Sequence, residues 1–518
     1  MKTKSFIFLG LFVSVCVSTM AGNLKIDKAA TLSGIDTAGK TAIISFDISW
    51  ENSWRQSGGA ANYDGVWIFV KFREKDSKEW THVFLSTSVS DYSIASDNGV
   101  VPAFSEGTTN KKGPGVFAFR KNYGSGNINW DGVKMKWNYE QNGVKKIDDI
   151  IVKVFAIEMV YVPKGAFKLG SGGTEACTFY TYPNTTVPYN IVSEELVTVG
   201  QKEGNLFYSK HFYAEMFQTT IPAGFPKGYN AFWCMKYEIT QEQYAEFLNT
   251  LTRRQQIARV IADVSQIKIN NYFVMCNNKT ASVRNGIRCD SVIPVADPVT
   301  FYCDLNANGK PDENNDGQYI SCNFLGWADG AAFADWAGLR PMTEFEYEKA
   351  CRGSQNPVAD EYAWGTTKIL AAESLLNAGA ISECASSAEA NCIYDNPAKI
   401  PGPVRSGLFF RKNGTKEQNG ESFYGIADMS GNLFERCVTV SNSTGVTFTG
   451  TLGDGTLDVS GNSTNTDWPN VWGIGGGFRG GSYFYAGTYC RISDRQYAGL
   501  GDNSRFNHYG FRAVRNAE

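Results

Sequence analysis

The sequence predicts an all-β unit followed by a larger α+β unit. Apolar and polar residues alternate repeatedly before residue 155, whereas the clear helix-capping patterns come after residue 239. A chain of 518 residues also exceeds the size at which a single hydrophobic core stops growing, so two domains are expected. We therefore predict domains at residues 22–155 and 156–518, preceded by a distinct segment at residues 1–21.

The first domain is predicted to be an antiparallel β-sandwich of about 130 residues. Apolar residues occupy every second position of 44–50 and again of 133–139, which is the period of a strand with one buried face. Between these segments, Val66–Arg73 is a more continuous apolar run, as expected for an inner strand. Turn sequences that contain glycine separate the runs.

The second domain is predicted to contain few helices, with clear start signals. Thr240 and Gln243 form a capping-box pattern before an amphipathic helix. A second helix is predicted over 330–337 and a third, also with a capping box, over 343–352. Short strands and long loops are expected elsewhere. The apolar face of the first helix is formed by Tyr244, Phe247, Leu248 and Leu251.

Composition and charge exclude one class of partner. The net charge is -3 and only 19% of the residues are charged, so no basic stripe is available for nucleic acid. Aromatic residues reach 14% and glycine numbers 53, which predicts a loop-rich aromatic globule instead of a disordered chain.

The first 21 residues have the pattern of a secretory signal peptide. Lys2 and Lys4 precede an apolar run at 6–17, and small residues end the segment at Ala21. The run is too short to span a bilayer, and no other segment is apolar enough to do so. A lipoprotein attachment at Cys16 is the weaker alternative because the preceding residue is bulky. We expect a secreted, periplasmic or cell-surface protein.

Cysteine usage agrees with an oxidising compartment. Removal of the first segment leaves eleven of the 12 cysteines, an odd number, so at least one thiol is left over. Short spacings suggest local disulfide bonds, although the sequence leaves the connectivity open. The candidate pairs are Cys276 with Cys289, Cys303 with Cys322, and Cys384 with Cys392.

A segment that begins at Asp304 matches the start of a calcium-binding loop of the EF-hand type. It resembles the loops of dockerins and thrombospondin type 3 repeats, with oxygen ligands at alternate positions and a glycine at the sixth. The twelfth position is Asn315 instead of glutamate, so we expect low affinity unless Asp316 or Asp312 compensates. The alternative is a solvated turn. The proposed ligands are Asp304, Asn306, Asn308, the carbonyl of Lys310, and Asp312.

Ordered motifs from Met159 to Arg515 indicate a known family. They are MVYVPKGAFKLG, YEITQEQYAEFLN, NFLGWADGAAFADWAGLRPMTEFEYEKACRG, YAWG, YGIADMSGNLFERC, FRGGSYFYAGTYCRISDR and HYGFRAVR. In this order they resemble the formylglycine-generating enzyme, or sulfatase-modifying factor, family. The resemblance implies an α+β domain with the C-type-lectin-like fold.

The resemblance also implies an active centre that this chain lacks in part. In the family, the RGGS serine, here Ser482, and two following cysteines form the active centre, in which the two cysteines bind copper and activate oxygen. Tyr485 stands at the first cysteine position and Cys490 at the second, while a second alignment places Cys490 beside a structural arginine. One thiolate cannot supply a two-sulfur copper site, so we expect no catalytic residues and no copper. Ser482 and Cys490 remain the candidates if the protein is an enzyme.

The resemblance also bears on one possible disulfide and on two possible metal sites. Cys490 is expected in a disulfide, with Cys437 as a candidate partner. The iron chemistry of related ergothioneine-pathway enzymes needs clustered histidines, but this chain has only His82, His211 and His508. A family calcium site is implied at Asp428, Gly431, Leu433 and Glu435, with an exposed capping turn as the alternative.

The tail is predicted to form a recognition face. Its aromatic residues follow neither a helical nor a strand period and lie among small polar residues, which is the composition of binding loops. The tail also resembles the variable regions of retroelement-diversified proteins. The expected ligand is a protein or glycan at the cell surface; ordinary core packing, a sulfatase-modifying oxidase and an envelope scaffold are the alternatives. The candidate binding residues are Tyr483, Phe484, Tyr485, Tyr489, Asp494, Tyr497, Arg505, Phe506 and His508.

Overall fold

The computed structural model describes residues 23–27, 29–94, 98–102, 112–209 and 220–517. The predicted signal segment with Cys16, and also His211, lie outside these residues. Within the described ranges, no helix is both long enough and apolar enough to cross a lipid bilayer.

Strands account for most of the regular structure. Those of the first part are β1 Lys25–Ile26, β2 Thr31–Asp36, β3 Thr41–Arg55, β4 Asp64–Glu74, β5 Thr81–His82, β6 Tyr92–Ser93, β7 Asn98–Pro102, β8 Val116–Arg120, β9 Gly124–Asn138 and β10 Ile150–Val162. The later strands are β11 Phe167–Leu169, β12 Phe179–Thr181, β13 Tyr189–Ile191, β14 Val197–Thr198, β15 Leu206–Tyr208, β16 Thr220–Ile221, β17 Phe232–Met235, β18 Ile287–Cys289, β19 Phe301–Cys303, β20 Arg340–Pro341, β21 Leu375–Leu376, β22 Cys384–Ala385, β23 Phe434–Val438, β24 Gly476–Arg479, β25 Tyr509–Gly510 and β26 Ala513–Asn516.

The strand predictions for the first part are confirmed. In β3 the residues from Thr41 to Phe46 alternate between half-buried and buried, and in β9 Val133, Met135 and Trp137 are buried between more exposed neighbours. The first nine residues of β4 are all buried, as its continuous apolar run indicates. These strands therefore form as their local patterns predict.

Two large antiparallel sheets share a buried apolar cluster. One has the order β1-β3-β9-β6, with β2 beside β3; the other has the order β20-β26-β17-β10-β4-β8-β7, with β5 beside β4. Ile44 and Met135 of the first sheet belong to the same buried cluster as Val66 and Val70 of the second. The second sheet continues through β10, so one strand crosses the boundary predicted at residue 155.

The helices are α1 Gln241–Leu248, α2 Arg253–Arg259, α3 Trp327–Trp336, α4 Glu344–Arg352 and α5 Lys416–Asn419. Single 3-10 turns lie at Val89–Asp91, Tyr139–Asn142, Ile147–Asp149, Gly445–Thr447 and Gly487–Cys490. The capping boxes predicted for α1 and α4 are confirmed. The second helix begins three residues earlier than predicted, because the Asp329 side chain accepts a hydrogen bond from Gly326 N–H and caps it there. Leu251 is buried but lies beyond the end of α1.

Side chains of β4 join the first part of the chain to the second. The Trp67 indole donates to Ala337 O at 2.7 Å, and Lys71 Nζ donates to Trp336 O at 2.7 Å. Burial lowers the pKa of Lys71 to about 7. These contacts hold the end of α3 against the large sheet. The chain as a whole is a strand-rich mixture of α and β structure.

Candidate functional site

A small sheet positions the C-terminal segment. β23 pairs with β24 in antiparallel orientation and with β25 in parallel orientation. The RGGS turn therefore follows directly from the end of β24. The turn is held by backbone hydrogen bonds from Gly431 to Gly480 and from Tyr483 to Asn432.

Buried ion pairs fix this segment to α4. Arg479 contacts Glu344 at 3.0 Å and Glu348 at 2.8 Å, and Arg495 contacts Glu344 at 2.7 Å. Burial alone would raise the pKa of Glu344, but Arg495 and then Arg479 outweigh it and hold that pKa below its usual value. Arg352 extends the network from Glu348. The sequence analysis did not identify this network, since only the acidic first turn of α4 hinted at it.

Ser482 and Cys490, the residues expected to act if the chain is an enzyme, are both fully buried. A second buried thiol, Cys392, donates to Ser430 O at 3.1 Å and is in contact with Cys490. Burial first, and then this contact, raise the pKa of Cys392 well above its usual value. Gly431 and Gly481 make room for the two thiols: a Cβ would lie 2.5 Å from Cys392 Sγ in the first case and 2.6 Å from Cys490 Sγ in the second.

The cysteine that lies beside Cys490 differs from the expected one. Cys490 contacts Cys392 and not Cys437, because the segment that contains Cys392 packs against the RGGS turn. Asn396 N–H donates to Tyr483 O at 3.1 Å, which holds this segment in place. The sequence suggests Cys384 as the partner of Cys392 and gives no sign of its proximity to Cys490, because the two residues are far apart in the chain and share no motif. The cysteines at 276, 289, 303, 322, 392, 437 and 490 are free thiols in this structure.

The predicted recognition residues divide into an outer and an inner group. Phe484 and Phe506 are 47% and 52% exposed, and Tyr485, Tyr489 and Tyr497 are half-buried. We call these five residues the aromatic face. The tyrosines pack on one another, with ring centroids 5.2 Å apart for Tyr485 and Tyr489. Tyr485 also packs on the buried Phe434 at 5.1 Å, so it supports the face as well as contributing to it.

His508 lies between the two exposed phenylalanines. Its ring is stacked on Phe484 at 5.5 Å and on Phe506 at 5.7 Å, with interplanar angles of 19° and 2°. Burial, and next the charge of Arg436, lower the pKa of His508 to about 4. His508 is therefore a neutral aromatic spacer near pH 7, and it holds the two outer rings apart.

Tyr483, Asp494 and Arg505 point inward. Tyr483 and Asp494 are buried, and burial raises the pKa of Asp494 to about 6. Arg505 contacts Asp329 at 2.6 Å, so it ties the tail to α3. These three residues position the tail more than they present a surface.

The loop predicted to bind calcium is ordered by its own side chains. Asp304 accepts backbone hydrogen bonds from Asn308 and Gly309 and forms an ion pair with Arg288 at 2.6 Å. Asn306 and Asn308 accept from the backbone two residues further on, and the Asp312 carboxylate accepts from Cys303 N–H. The Oδ1 atom of Asp316 is buried without a hydrogen-bond partner in the described structure. This free oxygen fits a hard cation, whereas the Arg288 ion pair competes with one.

The residues expected to form the second calcium site lie in a buried acidic cluster. Asp428 accepts from Gly407 N–H at 2.6 Å, and Glu435 contacts Arg512 at 2.7 Å. The Oε2 atom of Glu435 has no hydrogen-bond partner in the described structure. Glu238 lies beside both carboxylates, and its pKa is raised well above the usual value by burial and then by Asp428 and Glu435. The Leu433 N–H donates to Glu238 and Gly431 N–H to Gly480 O.

Neither of the two expected calcium sites, as the structure describes them, has three or more acidic side chains placed to hold a metal ion. Among the described residues, no group of three or more histidine, cysteine, aspartate or glutamate side chains is arranged to hold a metal ion. The expected calcium sites would thus rely on amide and backbone oxygens beside their carboxylates. The described histidines, His82 and His508, are each engaged elsewhere: His82 contacts Pro114 O at 2.5 Å.

The RGGS turn, the DMSGN segment and the buried arginine–glutamate network together define a domain of the sulfatase-modifying class. The chain belongs to the family of the sulfatase-modifying factor enzyme 1-like domain, whose profile matches residues 153–517. This confirms the resemblance that the motifs indicate, and every site described above lies within the matched range. A comparison with curated proteins gave no significant match.

Proposed function

We propose that the protein is a secreted, non-catalytic recognition protein that binds a cell-surface protein or glycan on the aromatic face. The proposal includes a C-type-lectin-like fold for the family domain and a β-sandwich before it. The observation that carries it is the pair of exposed rings, Phe484 and Phe506, held apart by His508. Exposed aromatic side chains on a rigid support supply much of the binding energy at interfaces.

Burial of the reactive groups supports a role without catalysis. Ser482 and Cys490 have no exposed surface, and Tyr483, which follows Ser482, is buried as well. A peptide substrate would have to displace this packing to reach either side chain. Recognition at the outer rings requires no such rearrangement.

The binding proposal is tested with Phe484→Ala and Phe506→Ala. Binding of the parent is measured on an array of defined oligosaccharides and on an array of surface-protein ectodomains. We expect each substitution to weaken any parental interaction by tenfold or more, because truncated hot-spot aromatics cost about 2 kcal/mol. Tyr123→Ala is the matched control, since Tyr123 is 69% exposed and outside the face.

Melting temperatures of the variants decide how a loss is interpreted. Substitutions of exposed rings are expected to change stability by about 0.5 kcal/mol. Parental binding by both variants would contradict the proposal, and so would an equal loss in Tyr123→Ala. Unfolding of both variants would show that the rings belong to the core.

The contact between Cys392 and Cys490 favours one second candidate, a copper-dependent oxidase. Two thiol sulfurs are donors that Cu(I) prefers, and bound copper would supply oxygen activation. The leading proposal predicts that a sulfatase-motif peptide keeps its mass when mixed with the protein, Cu(I) and oxygen. Conversion of the peptide cysteine to an aldehyde, lost in Cys392→Ala, would establish the oxidase instead.

A further inference from the structure

Strand β10 has an open edge over more than half of its length. On one side it pairs with β4 from Ile150 to Val160. On the other side it pairs with β17 only from Met159 to Val162. Within the described residues, no strand covers the second side of 151–157.

The hydrogen-bond register shows which backbone groups face this open edge. Lys75 N–H donates to Asp149 O at 2.8 Å on the β4 side, and Lys236 N–H donates to Glu158 O at 2.9 Å on the β17 side. Because the direction alternates along an antiparallel strand, Val152, Val154 and Ala156 direct their N–H and C=O groups to the open side. These groups have no hydrogen-bond partner in the part of the chain that the structure describes.

A cavity of about 770 Å3 runs along this edge. Its walls include Phe333 and Trp336 of α3 and Glu242 and Glu246 of α1. The Trp336 indole N–H is buried and has no hydrogen-bond partner in the described structure. Unpaired backbone groups at a sheet edge are a template for pairing with another chain, which points to an occupant that completes their hydrogen bonds.

We propose that this edge binds an extended peptide of a partner protein, which adds to the sheet as a further strand. Main-chain hydrogen bonds to an exposed sheet edge supply affinity in this mode, and side-chain pockets supply specificity. The five residues from Val152 to Ala156 span about 13 Å, the reach of a pentapeptide in extended form. This site shares no residue with the aromatic face.

The walls also define the class of peptide. Side chains of an added strand alternate between the two faces of the sheet. On one face they would meet Leu24 and Ile26, which favour valine or isoleucine. On the other they would meet Glu242 and Glu246. Lys153 contacts Glu246, whereas Glu242 has no ion pair within the described residues, so lysine or arginine is favoured there.

The test uses a fluorescent pentapeptide of sequence Val-Lys-Val-Lys-Val and the full chain. We expect saturable binding by fluorescence anisotropy, and at least tenfold weaker binding of Val-Glu-Val-Glu-Val. Two further analogues carry N-methyl groups on alternate residues. The analogue that loses the N–H groups facing β10 should bind at least tenfold more weakly, whereas the other should bind as the parent peptide does.

Two variants of the protein test which of its groups bind the peptide. Ala156→Pro removes an N–H group that faces the cavity and none that bonds to β4, and proline is tolerated at strand edges. It should weaken binding of the lysine peptide at least tenfold. Glu242→Gln leaves the backbone intact and should reduce the preference for lysine over glutamate peptides.

The N-methyl analogues are tested on the unaltered protein. They therefore show whether the peptide pairs with β10 even if Ala156→Pro fails to fold. Equal affinity for both analogues would overturn the strand-addition proposal, because hydrogen bonds to the edge would then be irrelevant. Absence of binding by the lysine peptide would overturn it as well. Binding of free n-octylamine with the affinity of the peptide would show a small-molecule cavity instead.

Discussion

Asp494 illustrates how one buried residue couples the tail to pH. It accepts hydrogen bonds from the backbone of Gln496 and Ala176, and burial raises its pKa to about 6. The folded state therefore binds a proton more tightly than the unfolded state does. Below the pKa that Asp494 has in the unfolded chain, protonation of Asp494 makes its full contribution to stability. This contribution is lost as the pH rises through the folded-state pKa of about 6.

We predict that Asp494→Asn stabilises the protein at pH 7.5 but not at pH 4. The amide keeps an acceptor oxygen while it removes the cost of a buried charge. The gain at pH 7.5 should be about 1–2 kcal/mol, somewhat less than the shift itself implies at about 1.4 kcal/mol per pKa unit. Urea denaturation at both pH values measures it. Equal effects at the two pH values would mean that Asp494 is not the titrating group.

For single residues, the sequence predicts helix caps well but predicts partners that are distant in the chain poorly. Thr240 and Thr343 cap their helices because the capping box is a local pattern. Thr252 forms the same box with Gln255 at the start of α2, so this helix too has a local start signal in the sequence. The contact of Cys392 with Cys490 depends on how distant loops pack, and no local pattern encodes it.

Helix α3 shows how packing reverses a helix propensity. Gly330 is buried in the middle of α3, and a Cβ there would overlap the ring of Phe511. Alanine is normally preferred to glycine in a helix by about 1 kcal/mol. The close approach of the ring explains why glycine stands at this position.

We predict that Gly330→Ala destabilises the protein by about 1–3 kcal/mol, because overpacking of a core costs more than the helix propensity returns. Thermal or urea denaturation measures the change. In a Phe511→Ala background the ring is absent, so Gly330→Ala should there be neutral or stabilising. A stabilising effect in the parent protein would contradict the predicted overlap.

The loop at 304–316 and the segment at 428–435 are the elements for which calcium is proposed. Buried, unpartnered oxygens of Asp316 and Glu435 are what a bound cation would satisfy. A ligand that binds only the folded state raises the melting temperature by mass action. We therefore predict that calcium raises the melting temperature and that a chelator lowers it.

Two single substitutions show which of the two sites causes the calcium-dependent rise in melting temperature. If the loop is responsible, Asp304→Asn should abolish it; if the family site is responsible, Asp428→Asn should. Exposed Asp148→Asn is the matched control and should leave the effect intact. Melting curves that do not respond to calcium or chelator would rule out both sites as contributors to stability.

The large sheet determines how the molecule can be divided. Sequence patterns predict its strands, but not that β10 of the first part would pair with β17 of the second. The pairing joins residues that are distant in the chain, so no period within either segment reveals it. The recognisable family domain therefore begins, at residue 153, inside a strand.

We predict that residues 156–518 do not fold alone. A cut after residue 155 divides β10 and removes β4, whose Trp67 and Lys71 donate to the end of α3. The fragment would expose a long sheet edge and the apolar surface beneath it, which favours aggregation.

The measurement compares this fragment with residues 23–518 as the matched control. The longer chain should melt in one cooperative transition by calorimetry and circular dichroism, whereas the fragment should show no transition or should aggregate. Cooperative melting of the fragment within a few degrees of the longer chain would show that the pairing of β10 with β4 contributes little to stability. The open edge of β10, proposed as the peptide site, would then belong to a strand that contributes little to the stability of the family domain.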